Sequence, residues 1–265
     1  MKIAGIVAEY NPFHTGHAYQ IACTRAQLGE DCAVAAVMSG HWVQGGRPAI
    51  TDKWTRTKLA LLGGADLVLE LPTVWAVSSA ETFARGAVEL LAAAQVVDVL
   101  SFGSECGDAD KLRRAAICLN SPEYEAGLRR FVEGGTPFAA ARQRAVEGLL
   151  GPELAELLST PNNNLGVEYI RALDRLNHEI WPMTIRREGA PHDSLLLGTE
   201  RPRFCSATQL RAYLEREDWA ALEPYLPEGG LEVLRAGWNS FPTLRRAERG
   251  LLARLRTMTA EDWSH

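Results

Sequence analysis

The 265-residue chain is 46% hydrophobic and 23% charged, enough apolar content for a buried core and ordinary for a globular protein. Its net charge of −5 argues against a generic nucleic-acid-coating protein, which gains affinity by releasing counterions through an excess of Lys and Arg. Cys23, Cys32, Cys106, Cys118 and Cys205 are odd in number and form no C-x-x-C pair, and no stretch approaches the ~20 apolar residues of a membrane helix, so a cytoplasmic chain without disulfides or membrane contact is expected.

Lys2 to Ala8 has the short apolar character of a buried parallel strand and runs into Asn11-Pro12, a turn-favouring pair. Periodicity then predicts a helix over Thr15 to Leu28, a strand over Ala33 to Met38, a helix over Lys53 to Leu62 and a strand over Asp66 to Leu71. A helix over Glu81 to Ala94 and a strand over Val97 to Phe102 follow. Such alternation implies an α/β fold with a mostly parallel sheet and ligands at the carboxyl ends of the strands, where the loops Asn11 to His17, Ser39 to Pro48 and Gly103 to Asp108 lie. From Asp110 to Leu158 the text is helical, broken near Ser121-Pro122 and Gly134-Gly135. A helix from about Leu165 to Leu176 and a strand near Ile180 to Ile185 return to the sheet. The expected division is a sheet domain over 1–215, with a helical insertion at about 110–160, and a helical part over 216–265.

The strongest chemical signal is His14-Thr15-Gly16-His17, at a strand-to-helix junction. A helix amino terminus offers backbone N–H groups and partial positive charge, with Thr15 as a candidate N-cap and Gly16 sparing a Cβ that would keep a phosphate or base at a distance. Imidazoles three residues apart share a side and can donate hydrogen bonds to phosphate oxygens as charge develops, which suits attack on the α-phosphate of ATP. Two zinc ligands at helical spacing, or ordinary capping histidines, are the competing readings, and no carboxylate, Cys or His cluster nearby completes a zinc set. No G-x-G-x-x-G and no Gly-Lys-Ser/Thr occurs, so an ATP site must use the histidine loop.

Other segments carry weaker signals. Gly103, at a strand end, gives a nucleotide close access to the backbone or is a plain turn glycine. Asn162, Asn163 and Asn164 cap the next helix or bond a ribose or base edge, and Arg186-Arg187 neutralises phosphate or is simply exposed. Ser206-Ala207-Thr208 opens another helix, with Arg211 one turn on. In this reading His14 and His17 act on the α-phosphate while Ser206, Thr208 and Arg211 hold the β- and γ-phosphates, against an N-cap followed by a surface arginine. Lys53, Arg56 and Lys58 hold a phosphate or an RNA backbone, or form a solvated helix face. Trp42, beside His41 and Gln44, offers a stacking surface for a flipped base or is core. Arg245, Arg246, Arg249, Arg254 and Arg256 line a helix as a local basic face or a solvated one.

Glu9-Tyr10-Asn11-Pro12-Phe13-His14-x-Gly16-His17 resembles the H-x-G-H nucleotidyltransferase superfamily and, more closely, the bacterial tRNA(Met) cytidine acetate ligase family. Val37-Met38-Ser39-Gly40, Lys53-Trp54-x-Arg56-x-Lys58, Gly64 to Pro72, Phe102-Gly103-Ser104-Glu105-x-Gly107-Asp108, Pro161-Asn162-Asn163-x-Leu165-Gly166-x-Glu168-Tyr169 and Ser206-Ala207-Thr208-x-x-Arg211 agree with it. The resemblance implies a Rossmann-like nucleotidyltransferase domain that makes acetyl-adenylate from ATP and acetate and passes acetyl to N4 of the wobble cytidine of elongator tRNA(Met). It also implies a nucleotide held by Val7, Ala8, Glu9, Tyr10, Asn11, Pro12, Phe13, His14, Thr15, Gly16, His17, Ala18, Tyr19, Gln20, Gly103, Asn162, Asn163 and Arg187. Mg²⁺ is expected to accompany the triphosphate, with few protein ligands. The alternatives on this scaffold are an adenylyltransferase acting on a small phosphate ester and a non-catalytic nucleotide- or tRNA-binding module. The chain departs from the family pattern at Gln44-Gly45-Gly46-Arg47-Pro48, where the family reads Gln-Arg-Gly-x-Pro, and at Gly189-Ala190-Pro191-His192-Asp193, which lacks one residue and a Tyr. Family members commonly run beyond His265, so a fragment or a reduced RNA-binding part is expected.

Overall fold

The computed structural model describes residues 1–176, 179–187, 204–239 and 242–263, the side chains of Arg246 and Trp263 excepted. In chain order, β1 (Ile3–Ala8) leads to α1 (Thr15–Leu28), β2 (Ala33–Ser39), a hairpin of β3 (Trp42–Val43) and β4 (Arg47–Pro48), and α2 (Lys53–Leu62). Then come β5 (Leu67–Leu71), α3 (Thr73–Ala76), α4 (Ala80–Ala93) and β6 (Val99–Ser104). Helices α5 (Ala109–Leu119), α6 (Pro122–Glu133), α7 (Phe138–Leu150), α8 (Pro152–Glu156) and α9 (Pro161–Leu173) precede β7 (Trp181–Arg186). The chain continues through α10 (Ala207–Glu215), α11 (Trp219–Leu222), α12 (Gly230–Ala236) and α13 (Leu244–Thr257).

The main sheet has five strands in the order β5-β2-β1-β6-β7, each pair parallel. Parallel strands need crossovers that cover both faces, which is why β1 and β2 read as unbroken apolar runs rather than as alternation. Val37, Leu100 and Phe102 enter a core with α4, α5 and α9. Ile6, Val34, Ala36 and Met38 enter another with Ile21 of α1, Leu59 of α2 and Leu210 of α10, and this second core runs past residue 215 to Leu234. Gly63 closes α2 against Phe13: an added Cβ would stand 2.0 Å from the Phe13 ring.

Several boundaries differ from the sequence expectation for identifiable reasons. β6 starts at Val99, because Asp98 spends its carboxylate on the Ile3 N–H at 2.8 Å; Asp66 does the same ahead of β5 for the Val34 N–H at 2.7 Å. α9 starts at Pro161 rather than Leu165, with proline at a first-turn position that needs no N–H. The hairpin was not foreseen. Gly45 and Gly46, at φ of 79° and 70°, turn it through the left-handed region, where an arginine at 45 would be strained. Arg47 therefore sits in β4, exposed. The Gly189–Asp193 segment lies outside the described residues.

Candidate active site

β1 has β2 on one side and β6 on the other, so the crossovers part above the β1–β6 gap, the position where ligands of parallel α/β sheets bind. A partly enclosed cleft opens there, at the position where small-molecule ligands of such sheets bind. His14, Gly16, His17, Tyr19 and Gln20 line it from the β1 side, Gly103, Ile185, Arg186 and Arg187 from β6 and β7, and Phe204 and Cys205 from the segment before α10.

The histidine loop is built differently from the sequence expectation. The N-cap is His14, not Thr15, which lies inside the first turn. His14 Nδ1 accepts the Gly16 N–H at 3.0 Å, and His17 Nδ1 accepts the His14 N–H at 3.2 Å. Gly16 is required first by its neighbour: a Cβ there would stand 2.8 Å from His14 Cε1. The rings stack at 3.9 Å with 34° between planes. Since each Nδ1 is an acceptor, each ring carries its proton on Nε2. Burial, then Arg187 and Arg211, hold the His14 pKa down to about 3, and burial, His14 and Arg187 hold that of His17 well below its ordinary value. Both rings are neutral donors at physiological pH. The Gly16 N–H is thus spent on the His14 ring and the His17 and Ala18 N–H groups on the His14 carbonyl, while both imidazole Nε2–H groups lie outside these bonds.

The other expected residues divide into those the fold brings to the cleft and those it spends elsewhere. Of Val7–Gln20, the five named above line it. Val7 packs in one core, Ala8, Tyr10, Phe13 and Ala18 in the other, and the Glu9 carboxylate accepts the Gln44 N–H at 3.0 Å. Asn11, after which the peptide bond to Pro12 is cis, takes the Ile50 N–H on its side chain at 2.6 Å. Gly103 lies within β6 rather than after it, and leaves room for Arg187, whose Cγ would be 3.3 Å from an added Cβ. Burial lowers the Arg187 pKa while Glu105 raises it.

Asn162 and Asn163 lie in the first turn of α9, and their backbone N–H groups donate to Glu105 at 3.2 and 2.7 Å. Asn162 Nδ2 also donates to Glu105, whereas buried Asn163 spends its amide on the Cys106 N–H and the Thr160 hydroxyl. Ser206 caps α10 by accepting the Gln209 N–H at 3.1 Å. Arg211 donates to the Asn11 carbonyl at 3.1 Å and to Thr208 Oγ1 at 3.0 Å, bringing α10 against the histidine loop. Phe204 and Cys205 escaped the sequence reading, although they directly precede the Ser206-Ala207-Thr208 signal. Glu105 escaped as the partner of α9, although it stands in the Gly103-to-Asp108 segment. Lys53 pairs with Glu70, Arg56 is wholly buried, Trp42 is 37% exposed, and the described α13 side chains are exposed.

The model of the HIGH Nucleotidyl Transferase family matches residues 1–265. The chain belongs to this family. Within it, a curated tRNA(Met) cytidine acetate ligase from Caldanaerobacter subterraneus subsp. tengcongensis is 44% identical over 90% of this chain and 59% of its own length. Another of that name, from Thermoanaerobacter sp. (strain X514), is 42% identical over the same shares. A crystal structure of Thermotoga maritima TmcAL bound with alpha-thio ATP superposes with a TM-score of 0.79 at 38% identity, covering 89% of this chain and 56% of that one. The chain thus spans 59% of the length of these curated relatives. As a HIGH nucleotidyl transferase, it carries the family's H-x-G-H signature at the switch point of its sheet.

Proposed function

We propose that this chain activates acetate with ATP for acetylation of elongator tRNA(Met). An acetate oxygen attacks the α-phosphorus, the bond to the bridging oxygen breaks, and pyrophosphate leaves; the N4 amine of the wobble cytidine then takes the acetyl group, releasing AMP and a proton. The observation that carries this reading is the pair of stacked neutral imidazoles, with Nε2–H free of the cap, at the positive end of α1 beside Arg187 and Arg211. Donors fixed before reaction and aimed where charge gathers on the α-phosphate are worth most in a dry, preorganised site. The Thr15 hydroxyl, buried and without a partner among the described residues, is a further donor for a ligand oxygen.

In this reading Tyr19, Gln20, Gly103 and Arg187 border the nucleotide, Asn162 reaches it by its side-chain oxygen, and Ser206, Thr208 and Arg211 border the outgoing pyrophosphate. Arg211 then serves both the Asn11 carbonyl and phosphate. Asn163 and Asn11 act through the backbone they hold. Magnesium fits as an ion carried by phosphate oxygens and water, since no group of three His, Cys, Asp or Glu suited to a metal occurs among the described residues. It would offset phosphate charge. The proposed tRNA substrate would place the reaction in the cytoplasm; among the described residues no helix is long and apolar enough to cross a membrane.

Pyrophosphate exchange tests the proposal. Acetate-dependent incorporation of labelled pyrophosphate into ATP is the expected result. Exchange that requires a phosphate ester instead would make the chain an adenylyltransferase, and no exchange with any acceptor would leave a nucleotide- or tRNA-binding module.

A further inference from the structure

Arg56 is the largest fully buried side chain among the described residues, yet no carboxylate lies within ion-pair distance of it there. Its guanidinium is surrounded by backbone carbonyls: Nη1 donates to Glu9 at 2.6 Å and to Ser39 at 3.0 Å, Nη2 to Gly40, and Nε to Thr51 at 3.3 Å. Burial lowers its pKa to about 10 against the raising influence of Glu9, Asp52 and Glu70, so it stays charged at neutral pH. Burying a lone cation is costly, and a well-packed apolar side chain in its place is often no worse for stability. A reason for its presence lies in what its planar fork reaches. Glu9 and Ser39-Gly40 are the exits of neighbouring strands β1 and β2, and Thr51 precedes α2. Strand exits leave carbonyls that the sheet does not pair, and one guanidinium can satisfy carbonyls of several segments at fixed angles, as an ammonium cannot.

Two further bonds run between the same segments. The Gln44 N–H donates to the Glu9 carboxylate at 3.0 Å, and the Ile50 N–H to the Asn11 side chain at 2.6 Å. The Trp42–Pro48 hairpin is thereby tied to the Glu9–Asn11 segment within its turn, through Gln44, and just past its second strand, through Ile50, with Arg56 beneath the root. We infer that Arg56 is a positioning residue: it sets the register between the histidine loop and the β2-exit hairpin, and through Glu9 O it fixes where the His14–His17 pair stands. This rests on the acetate-activation reading only for its catalytic consequence. The geometric consequence is independent of it.

The test uses the full chain with Arg56→Lys, which keeps the charge but cannot span the carbonyls of both strand exits. One readout ignores the reaction: ¹⁵N imidazole spectra show which ring nitrogen of His14 and His17 carries the proton. The expected result is Nε2–H tautomers in the wild type and mixed or exchange-broadened states in the variant. The other is acetate-dependent exchange, with kcat expected to fall about 10²-fold and the KM for ATP to stay within about threefold, the scale of a reacting group displaced by roughly 1 Å. Glu168→Gln serves as the stability control, since buried Glu168 holds Arg142 and Arg171 on helices α7 and α9. It should lower the melting temperature without moving either readout. Unchanged imidazole spectra in Arg56→Lys would overturn the inference. So would a variant that does not fold, because the inference requires the fold to survive with only the loop displaced. Altered spectra with no exchange in the wild type would sink the acetate reading while upholding the positioning role.

Discussion

Helices α1 and α9 both begin at the carboxyl edge of the sheet, and their first turns are closed by opposite chemistry. At α9 the Glu105 carboxylate takes the N–H groups of Asn162 and Asn163, so the positive end of that helix already holds an anion. At α1 the acceptors are uncharged imidazole nitrogens, and the nearby charges on His14 are those of Arg187 and Arg211. Both termini have first-turn N–H groups accepted by a side chain, but only α1 is left electropositive. A helix terminus is therefore an anion site only when its cap is neutral, and the sequence Asn162-Asn163-Asn164 does not reveal which kind it has.

The largest effect that would break this contrast is at His17. In His17→Ala the exchange rate should fall roughly 10²–10³-fold, the scale for removing one preorganised donor, while ATP affinity measured by calorimetry stays within about threefold. Arg211→Ala should show the reverse balance, with ATP binding weakened about tenfold or more, as for lost bonds to charged groups. Normal turnover in His17→Ala would reduce the α1 terminus to a capped turn.

Acid should separate the two termini next. His14 has a folded-state pKa of about 3 against an ordinary 6.5, so the unfolded chain takes up the proton first as pH falls. The stability is present above pH 6.5 and is lost below it, on the order of 2 kcal/mol from His14 by pH 5. Burial raises the Glu105 pKa, but bonds from Asn162 and Asn163 outweigh it and leave the value below 4.5, so its contribution is lost only below that pH. Thermal melts between pH 7.5 and 5 should therefore fall less steeply for His14→Asn, which keeps a capping oxygen, than for the wild type. Parallel curves would contradict the assignment of this window to His14.

The smallest effect expected on the nucleotide is at Glu105. Glu105→Gln should cost about 1–2 kcal/mol of stability, as a weakened cap does, and change ATP affinity less than threefold. A tenfold loss of affinity would place the phosphates, and not only the Asn162 contact, at the α9 terminus.

The contrast also explains what could be read in the chain beforehand. The parallel strands were legible because both faces of Ile3–Ala8 and Ala33–Ser39 are covered, which forces continuous apolar text, and the histidine loop because His14 and His17 stand at a strand-to-helix junction. Arg56 was read, with Lys53 and Lys58, as holding a phosphate or an RNA backbone or as a solvated helix face, and is buried instead: its partners are carbonyls, which every residue carries, and their convergence depends on segments that fold together from Glu9, Ser39 and Thr51. Glu105 was illegible as a cap for the same reason, lying 57 positions from Asn162. The His14 cap was hidden by convention, since Thr15 is the commoner capping type and an imidazole acceptor declares itself only through ring geometry.

Strand order also dictates the order in which the molecule can assemble. β1, β2 and β5 form one side of the sheet from the first part of the chain, whereas β7 pairs with β6 only after helices α5 to α9 have been made. At about 5–20 residues per second of synthesis that interval lasts several seconds. During it Glu9 and Arg56 have both been made, while Ile185, Arg187 and Cys205, which wall the cleft from the far side, have yet to emerge. On the proposed reading, nucleotide capture would thus be a late event in the life of the nascent chain, because the far wall of the cleft is the last part of the site to be made.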